Sequence, residues 1–411
     1  MKYYSHIRSA RQIIEGYNGK EPFHRYIRAF FAQHKKYGSR DRRQISGLCY
    51  AYWRLGAALG TLSIEDRIVA GHFLCTGTTA SGTSSSKKTD GTSSDPILEN
   101  LKPEWNAALN VTLPEKFALI TGNPNAYNTE LPQIFSWLYR CSDEIDRAAF
   151  AESFFVQPDL FLRIRPGKEK QVKDKLTKAG VGFTEIGPRS LSMPNSTKID
   201  ELITLNTEAV VQDLSSQQVG AFLELVQAPA SGIRLWDCCA GSGGKTILAF
   251  DTLKKITITV SDKREQILVN LTKRFREAGL GHFQSFLVDM AIGSGRPPAK
   301  YNYDLIIADV PCSGSGTWGR SPEWLHFFDE KEIENYSALQ KKIVCNAIPH
   351  LAEGGYFLYI TCSVFSKENE EVVETIKGNP AMQLIRSGII RGYDKKADTM
   401  FAALFQRKRS Q

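Results

Sequence analysis

The stretch IRLWDCCAGSGGKTILAF, Ile233 to Phe250, passes from a short apolar run through a glycine-rich turn into a helical pattern. Glycines at 241, 243 and 244 let the backbone approach a ligand at the amino end of the helix that follows. Outward from this turn, short apolar runs alternate with longer helical ones. ITITVS, FQSFLV, YDLIIAD and GYFLYIT read as strands, and KTILAFDTLKK, REQILVNLTKRFREAG, EKEIENYSALQKKIVCNAIPHL and KENEEVVETIK as helices. That alternation predicts a doubly wound, mostly parallel sheet with ligands at the carboxyl ends of its strands.

The remainder is of a different character. Residues 1–74 carry apolar positions at helical spacing, as in IRSARQII and HRYIRAFFAQH, and Ser39 in GSRDRRQISGLCYAYWRLG is a candidate cap. After Cys75 a Thr, Ser and Gly stretch has nothing to bury and is expected to be a mobile surface loop. Helical pattern resumes at PEWNAALN and runs to about Arg147. From Phe155 to Ile203, LFLRIRP and VGFTEI read as strands around the exposed helix KEKQVKDKLTKAG, a small α/β unit.

Composition bounds the function. A chain of 411 residues, 42% hydrophobic and 23% charged, has room for two or three domains. The amino end MKYYSHIRSARQIIEG has no apolar segment behind its basic residues, and no run approaches a membrane span, so a cytoplasmic address is expected. Eight cysteines lie scattered with no pair at zinc-ligand spacing, and His24, His72 and His282 belong to no cluster; reduced thiols and no metal are expected. Of the net charge of +8, much gathers at the front. There Lys2, Arg8, Arg11, Lys20, Arg25, Arg28, Lys35, Lys36, Arg40, Arg42, Arg43 and Arg54 face only Glu15, Glu21 and Asp41. Such a field favours a polyanion, a solvated helical surface being the bland alternative. Tyr3, Tyr4, Phe23, Tyr26, Phe30 and Phe31 interleave with it, mostly as helix core, with one or two free to stack on bases.

The chemistry sits at the strand ends. The glycine loop nearly matches a phosphate-binding Walker loop, but that pattern needs glycine where Cys239 stands. Asp262 ends the second strand, where a nucleotide site places a carboxylate for the ribose hydroxyls, and Asp289 ends the third, within reach of an adenine amine. Helix capping and an ordinary turn are the alternatives for these two acids. Cys312 in DVPCSG and Cys362 in YITCS then end two adjacent strands. A lone cysteine is most often a small buried apolar residue; two at neighbouring strand ends suit nucleophilic chemistry. Carbon 5 of cytosine becomes reactive only after a thiolate adds to carbon 6. Asp309 is placed to hydrogen-bond ring nitrogen 3, with Lys245 reaching the same centre, and a second thiol at Cys312 helps release.

VQDLSSQ at 211–217, DCCAGSGGKT, SDKREQIL, FLVDM, DVPCSGSGTWGRSPEW, LQKKIV, GGYFLYITCS and KENEEVV, in that order, resemble the RNA (cytosine-5) methyltransferase family that includes RsmB. The resemblance implies that Cys362 is the nucleophile and that Cys312 assists product release. Its S-adenosyl-L-methionine loop maps to Cys239, Ala240, Gly241, Ser242, Gly243, Gly244 and Lys245, and its cofactor-contacting acids to Asp262, Asp289 and Asp309. The family usually has alanine and proline at 241 and 242, a change expected to leave the backbone donors available, and SGTG where Ser313 to Gly316 read SGSG. The chain is thus expected to be multidomain. An all-α NusB-like RNA-binding domain would span 1–147, with an insertion near 76–95, followed by a small α/β RRM-like subdomain at 148–208 and a Rossmann-like methyltransferase domain at 209–411. The implied partner is RNA, ribosomal RNA in the first instance, with a monomeric protein. The rival class is a non-catalytic RNA-binding or ribosome-assembly factor on the same fold, which should have lost a reactive cysteine or the cofactor loop. A DNA methyltransferase is opposed by the cysteine of TCS.

Overall fold

The computed structural model describes residues 2–77, 94–292 and 302–409, so most of the Thr/Ser stretch expected at 76–95 lies outside the described residues. The described residues from Lys2 to Ser153 form helices and their connections. Helix Phe23–Gln33 buries Phe23, Ile27 and Phe31, four residues apart and therefore on one stripe. Helix Ser39–Trp53 buries Ile45, Leu48, Cys49 and Tyr52 in the same manner. Its cap position is Gly38, not Ser39: the extended backbone that precedes the helix falls one residue earlier, and no side chain caps the helix.

A four-stranded antiparallel sheet follows, built of β1 (Leu160–Ile164), β2 (Thr184–Gly187), β3 (Ser190–Met193) and β4 (Ala209–Val211), in the order β2-β3-β1-β4. Helix Glu169–Lys178 packs Val172 and Leu176 into the same small core as Leu162, Ile164 and Leu191. β3 and β4 escaped the sequence reading because runs of four and three residues are too short to reveal alternation. β4 also carries this sheet past residue 208, the expected boundary.

The third unit is a seven-stranded sheet: β5 (Ile233–Asp237), β6 (Ile256–Asp262), β7 (Phe283–Leu287), β8 (Tyr303–Asp309), β9 (Leu351–Thr361), β10 (Met382–Ile390) and β11 (Met400–Arg407). Its order is β10-β11-β9-β8-β5-β6-β7. Strands β9, β8, β5, β6 and β7 are mutually parallel, as the alternation of apolar runs and helices predicts. β10 and β11, missed in the sequence, add an antiparallel hairpin on β9, so the sheet is mixed. The strand order reverses between β5 and β8, and at such a switch point the loops leave a crevice at the carboxyl ends of the strands.

The helical front is not a bead on a string. Trp318, Leu325, Val364 and Phe365, all from segments following the two candidate cysteines, belong to the same hydrophobic core as Trp53, Phe135 and Phe154. The ring of Phe135 lies 5.5 Å from Trp318 and 5.7 Å from Phe365, centroid to centroid. Arg54, counted above with the front's positive field, is instead 4% exposed. Its guanidinium donates to Phe154 O (2.6 Å), Gln157 Oε1 (2.8 Å) and Gly319 O (2.9 Å), tying the helices to the loop after Cys312. Arg11 is drawn off the field as well, by Glu15 and Glu65. Arg25, Arg28, Lys35, Lys36, Arg40 and Arg43 remain exposed. Of the aromatic residues, Phe23 and Phe31 are core and Tyr4 is 67% exposed.

Replacing Arg54 by Met should strand two carbonyls and an amide, and hydrogen bonds to charged groups are worth about 1.5–3 kcal/mol each. A loss of about 2–4 kcal/mol of stability is expected, read as a lowered Tm with RNA affinity falling only in proportion to the unfolded fraction. An unchanged Tm with weakened RNA binding would return Arg54 to the surface field.

Candidate active site

The crevice at the strand ends holds a cavity of about 560 Å³. Nine of the ten residues expected around a cofactor line it: Cys239, Ala240, Gly241, Ser242, Gly244 and Lys245 from the loop, with Asp262, Asp289 and Asp309 from the strand ends. Gly243 does not. Its φ of +79° is left-handed, and a Cβ there would lie 2.3 Å from the ring of Phe275, so this glycine lets the next helix pack close. Gly241, at φ +51°, has no atom near its missing side chain, so a Cβ would project into open space in the cavity wall.

The loop's backbone donors are largely spent on the end of β6 and on the loop itself, against the expectation that they stay available. Ala240 N donates to Ser261 O (2.9 Å), Gly241 N to Asp262 Oδ2 (3.1 Å) and Gly243 N to Ala240 O (2.8 Å). Outward donors remain in the first turn of helix Gly244–Thr252, where N–H groups have no partner within the helix. Asp262 also holds Arg264, whose N and Nε lie 3.0 and 3.1 Å from Oδ1; that guanidinium is largely exposed and free to move aside. Asp289 Oδ1 accepts from Ala291 N (2.9 Å), so the ordinary turn role is real. Lys245, 8% exposed, puts Nζ 3.1 Å from Asp309 Oδ2. One wall was not foreseen: Gln212, Asp213 and Ser216, from the VQDLSSQ run just after β4.

Beside Asp309 and Pro311, which line the cavity, stand the thiols. Cys312 Sγ and Cys362 Sγ are 3.2 Å apart, both half-buried and unbonded, and Cys362 N points at Cys312 Sγ (3.4 Å). Their hydrogen bond, then burial, pushes the Cys312 thiol well above its ordinary range, so Cys312 keeps its proton at neutral pH. The thiols' position is held by a group to which no role was given. Glu368, fully buried, accepts from Ser313 N (2.9 Å), Gln340 Nε2 (2.9 Å) and Ser363 Oγ (2.6 Å), gripping the residue after each cysteine. Burial raises its carboxyl above the usual range, against those hydrogen bonds. Asn369 extends the grip, accepting from Thr361 Oγ1 (2.6 Å) and donating to Ser363 O (3.0 Å). Gly316 N donates to Cys362 O (2.9 Å), and a Cβ at 316 would sit 1.9 Å from Thr399 O. The signal was present in KENEEVV, whose first acid follows Cys362 by only six residues; nothing local marks it as buried.

Residues 224–402 match the family model described as 16S rRNA methyltransferase RsmB/F. This segment is similar to the RsmB/F methyltransferase family. Ribosomal RNA small subunit methyltransferase B of Enterobacter sp. (strain 638) is 30% identical over 167 residues, 40% of this chain and 37% of that protein. The protein of the same name from Citrobacter koseri is 30% identical over 183 residues, 43% of this chain and 40% of that one. The chain thus spans well under half the length of the curated relatives it matches. In fold, it is similar over 98% of both chains to PH0851, with a TM-score of 0.64 at 20% identity. NSun6 from Pyrococcus horikoshii, solved with SFG, covers 72% of this chain and 98% of its own, with a TM-score of 0.54 at 16% identity. Among the described residues, no group of three or more His, Cys, Asp or Glu is arranged to hold a metal ion, and no helix is long and apolar enough to cross a membrane.

The segment matched by the family model carries a pH-sensitive group beneath the loop. Asp237 ends β5 fully buried, its Oδ2 accepting from Thr246 Oγ1 (2.7 Å). Burial first, with the charge of Asp309 adding, pushes it up to about 7. A carboxyl raised on folding stabilises fully below its unfolded value, near 4, and that contribution is lost as pH rises through about 7. Asp237→Asn should therefore gain on the wild type between pH 5 and pH 8, by at most about 4 kcal/mol, in urea unfolding curves. A difference independent of pH would show that Asp237 is charged throughout.

Proposed function

We propose that this chain is an S-adenosyl-L-methionine-dependent RNA cytosine-5 methyltransferase that acts on ribosomal RNA through a covalent bond from Cys362 to C6 of cytosine. The observation that carries this reading is the pair of thiols in contact at two neighbouring strand ends, next to a cavity lined by four carboxylates. The open space at Gly241, the first-turn donors of the helix and Asp262 fit an adenosine-bearing ligand, with Asp289 on the adenine side. When bound, that cofactor supplies an electrophilic methyl group for C5.

The chain's own residues do the rest. The Cys362 thiolate forms the bond to C6, and the ring's C5–C6 electron pair moves toward C5, N3 and O2. Asp309, steadied by Lys245 at 3.1 Å, faces N3 and favours the adduct by accepting a hydrogen bond from N3 once that nitrogen takes up a proton from water as charge develops on it. Once C5 has its methyl, its proton passes to solvent water, the electrons of that C–H bond re-form the C5–C6 double bond and the C6–S bond breaks, returning Cys362 as a thiolate. The Cys312 thiol, its Sγ 3.2 Å from the departing sulfur, donates a hydrogen bond to that thiolate and so eases its release. Both cysteines and the loop are retained, which favours catalysis over a purely RNA-binding role.

For the rest of the chain, the same reading makes the helical front a NusB-like and the four-stranded unit an RRM-like RNA-binding part of a monomeric, cytoplasmic protein. The exposed residues Arg25, Arg28, Lys35, Lys36, Arg40 and Arg43 would track the phosphate backbone. The domain division at 147 belongs to this proposal too, as does the second one, expected at 208 and moved past β4 at 211.

Cys362→Ala should abolish methyl transfer to an unmodified small-subunit rRNA transcript, with S-adenosyl-L-methionine binding retained. Cys312→Ala should instead accumulate a protein–RNA adduct that survives denaturing electrophoresis. Normal turnover by Cys362→Ala, or no transfer by the wild type to any RNA, would overturn the assignment.

A further inference from the structure

Helix Lys331–Ala347 touches both the cavity and the framework that holds the thiols. At 100° per residue, its contacts sort cleanly around the axis. Leu339 and Ile343 line the cavity. On the other flank Ser337 Oγ donates to Lys367 O (2.8 Å), and Gln340 Nε2 to Pro311 O (3.0 Å) and Glu368 (2.9 Å), which is the framework of the two cysteine loops. Tyr336 falls on the arc between these flanks, one turn before Gln340 and two before Ile343. It is half-buried, and its phenol makes no hydrogen bond among the described residues.

We infer that Tyr336 contacts the target base in this same site, its ring bounding the space between thiols and cavity and its hydroxyl donating a hydrogen bond to O2 of the pyrimidine. The inference rests on the methyltransferase reading given above. Three properties of the position support it. A tyrosine on this arc meets the space that must hold a ring reaching both a thiol and a methyl donor. Burial, followed by repulsion from Cys312, Glu332, Glu368 and Cys362 in their ionised forms, raises the phenol above its ordinary value, so it stays a proton donor. O2 is also the ring acceptor that Asp309, committed to N3, leaves unmet. It gains negative charge as the thiolate adds to C6, and a fixed donor aimed at developing charge counts most in the transition state. Leucine or phenylalanine would fill the arc equally well; only tyrosine puts a donor there.

The test uses the full chain, tritiated S-adenosyl-L-methionine and an unmodified small-subunit rRNA transcript. Tyr336→Phe should lower kcat on the order of 10–100-fold, the scale of losing one such donor, while Tm and the Kd for S-adenosyl-L-methionine stay within twofold of wild type. Tyr336→Leu should lose at least as much, since it gives up the ring face as well. Covalent capture of a 5-fluorocytidine transcript should slow in step with kcat, because the donor acts when the sulfur adds. A Tyr336→Phe enzyme that turns over at the wild-type rate overturns the hydroxyl's role and leaves the methyltransferase reading intact. A wild type that modifies no RNA sinks that reading, and this inference with it.

Discussion

A single buried carboxylate holds the candidate site together. Among the described residues Glu368 has no cation paired with it; it is stabilised by a backbone N–H, an amide and a hydroxyl, two of them from the residues that follow Cys312 and Cys362. An unpaired buried polar group costs several kcal/mol, so each of these donors is needed and none can drift far. Because the donors belong to two loops 50 residues apart in the chain, satisfying one carboxylate fixes the distance between two sulfurs. The 3.2 Å contact between the thiols is thus a consequence of buried hydrogen bonding away from the chemistry, which leaves the sulfurs themselves half-exposed and free to react.

The same logic explains why the helical front packs where it does. The loop after Cys312 runs through Trp318, Arg320 and Glu323 into territory owned by other parts of the chain. Trp318 enters the helical core, and Glu323, 3% exposed, accepts from Phe23 N at 3.1 Å. Arg320 donates to Asp398 (2.9 Å) and Asp213 (2.7 Å), so it also grips the loop beyond the small sheet that walls the cavity. Buried, hydrogen-bonded ties of this sort transmit position well because they have few alternative arrangements. On the proposed function, a front end joined in this way would orient RNA relative to the thiols, which a flexible tether would not do.

What the sequence disclosed follows from the range of the interactions involved. The glycine turn, the strand-end acids and both cysteines were legible because each is fixed by local geometry: a strand must end, a loop must turn, and a ligand must be met there. The roles of Gly241 and Gly243 were not separable, since only the ring of Phe275, brought in by a different helix, distinguishes a packing glycine from a cavity glycine. Glu368 was quoted within a motif without a function for the same reason, its partners lying as far off as Ser313. Arg54 was misread because a charge count treats every arginine as solvated, whereas this one meets carbonyls 100 and 265 residues away. β10 and β11 were missed although they are long, because they follow the parallel alternation with an antiparallel hairpin that no helix announces.

The two acids nearest the sulfurs divide their labour by environment. Asp309 ends β8 facing the cavity, with the Lys245 ammonium at 3.1 Å to compensate its charge, so it can approach a ring nitrogen without bearing an uncompensated burial cost. Glu368 lies behind the thiols with neutral donors alone, and burial drives its carboxyl upward. Were the lysine beside Glu368 instead, the scaffold would carry the balanced charge and the group facing substrate would not. Placing the cation with the cavity-facing acid, and only dipoles with the buried one, separates chemistry from support within a single cluster of loops.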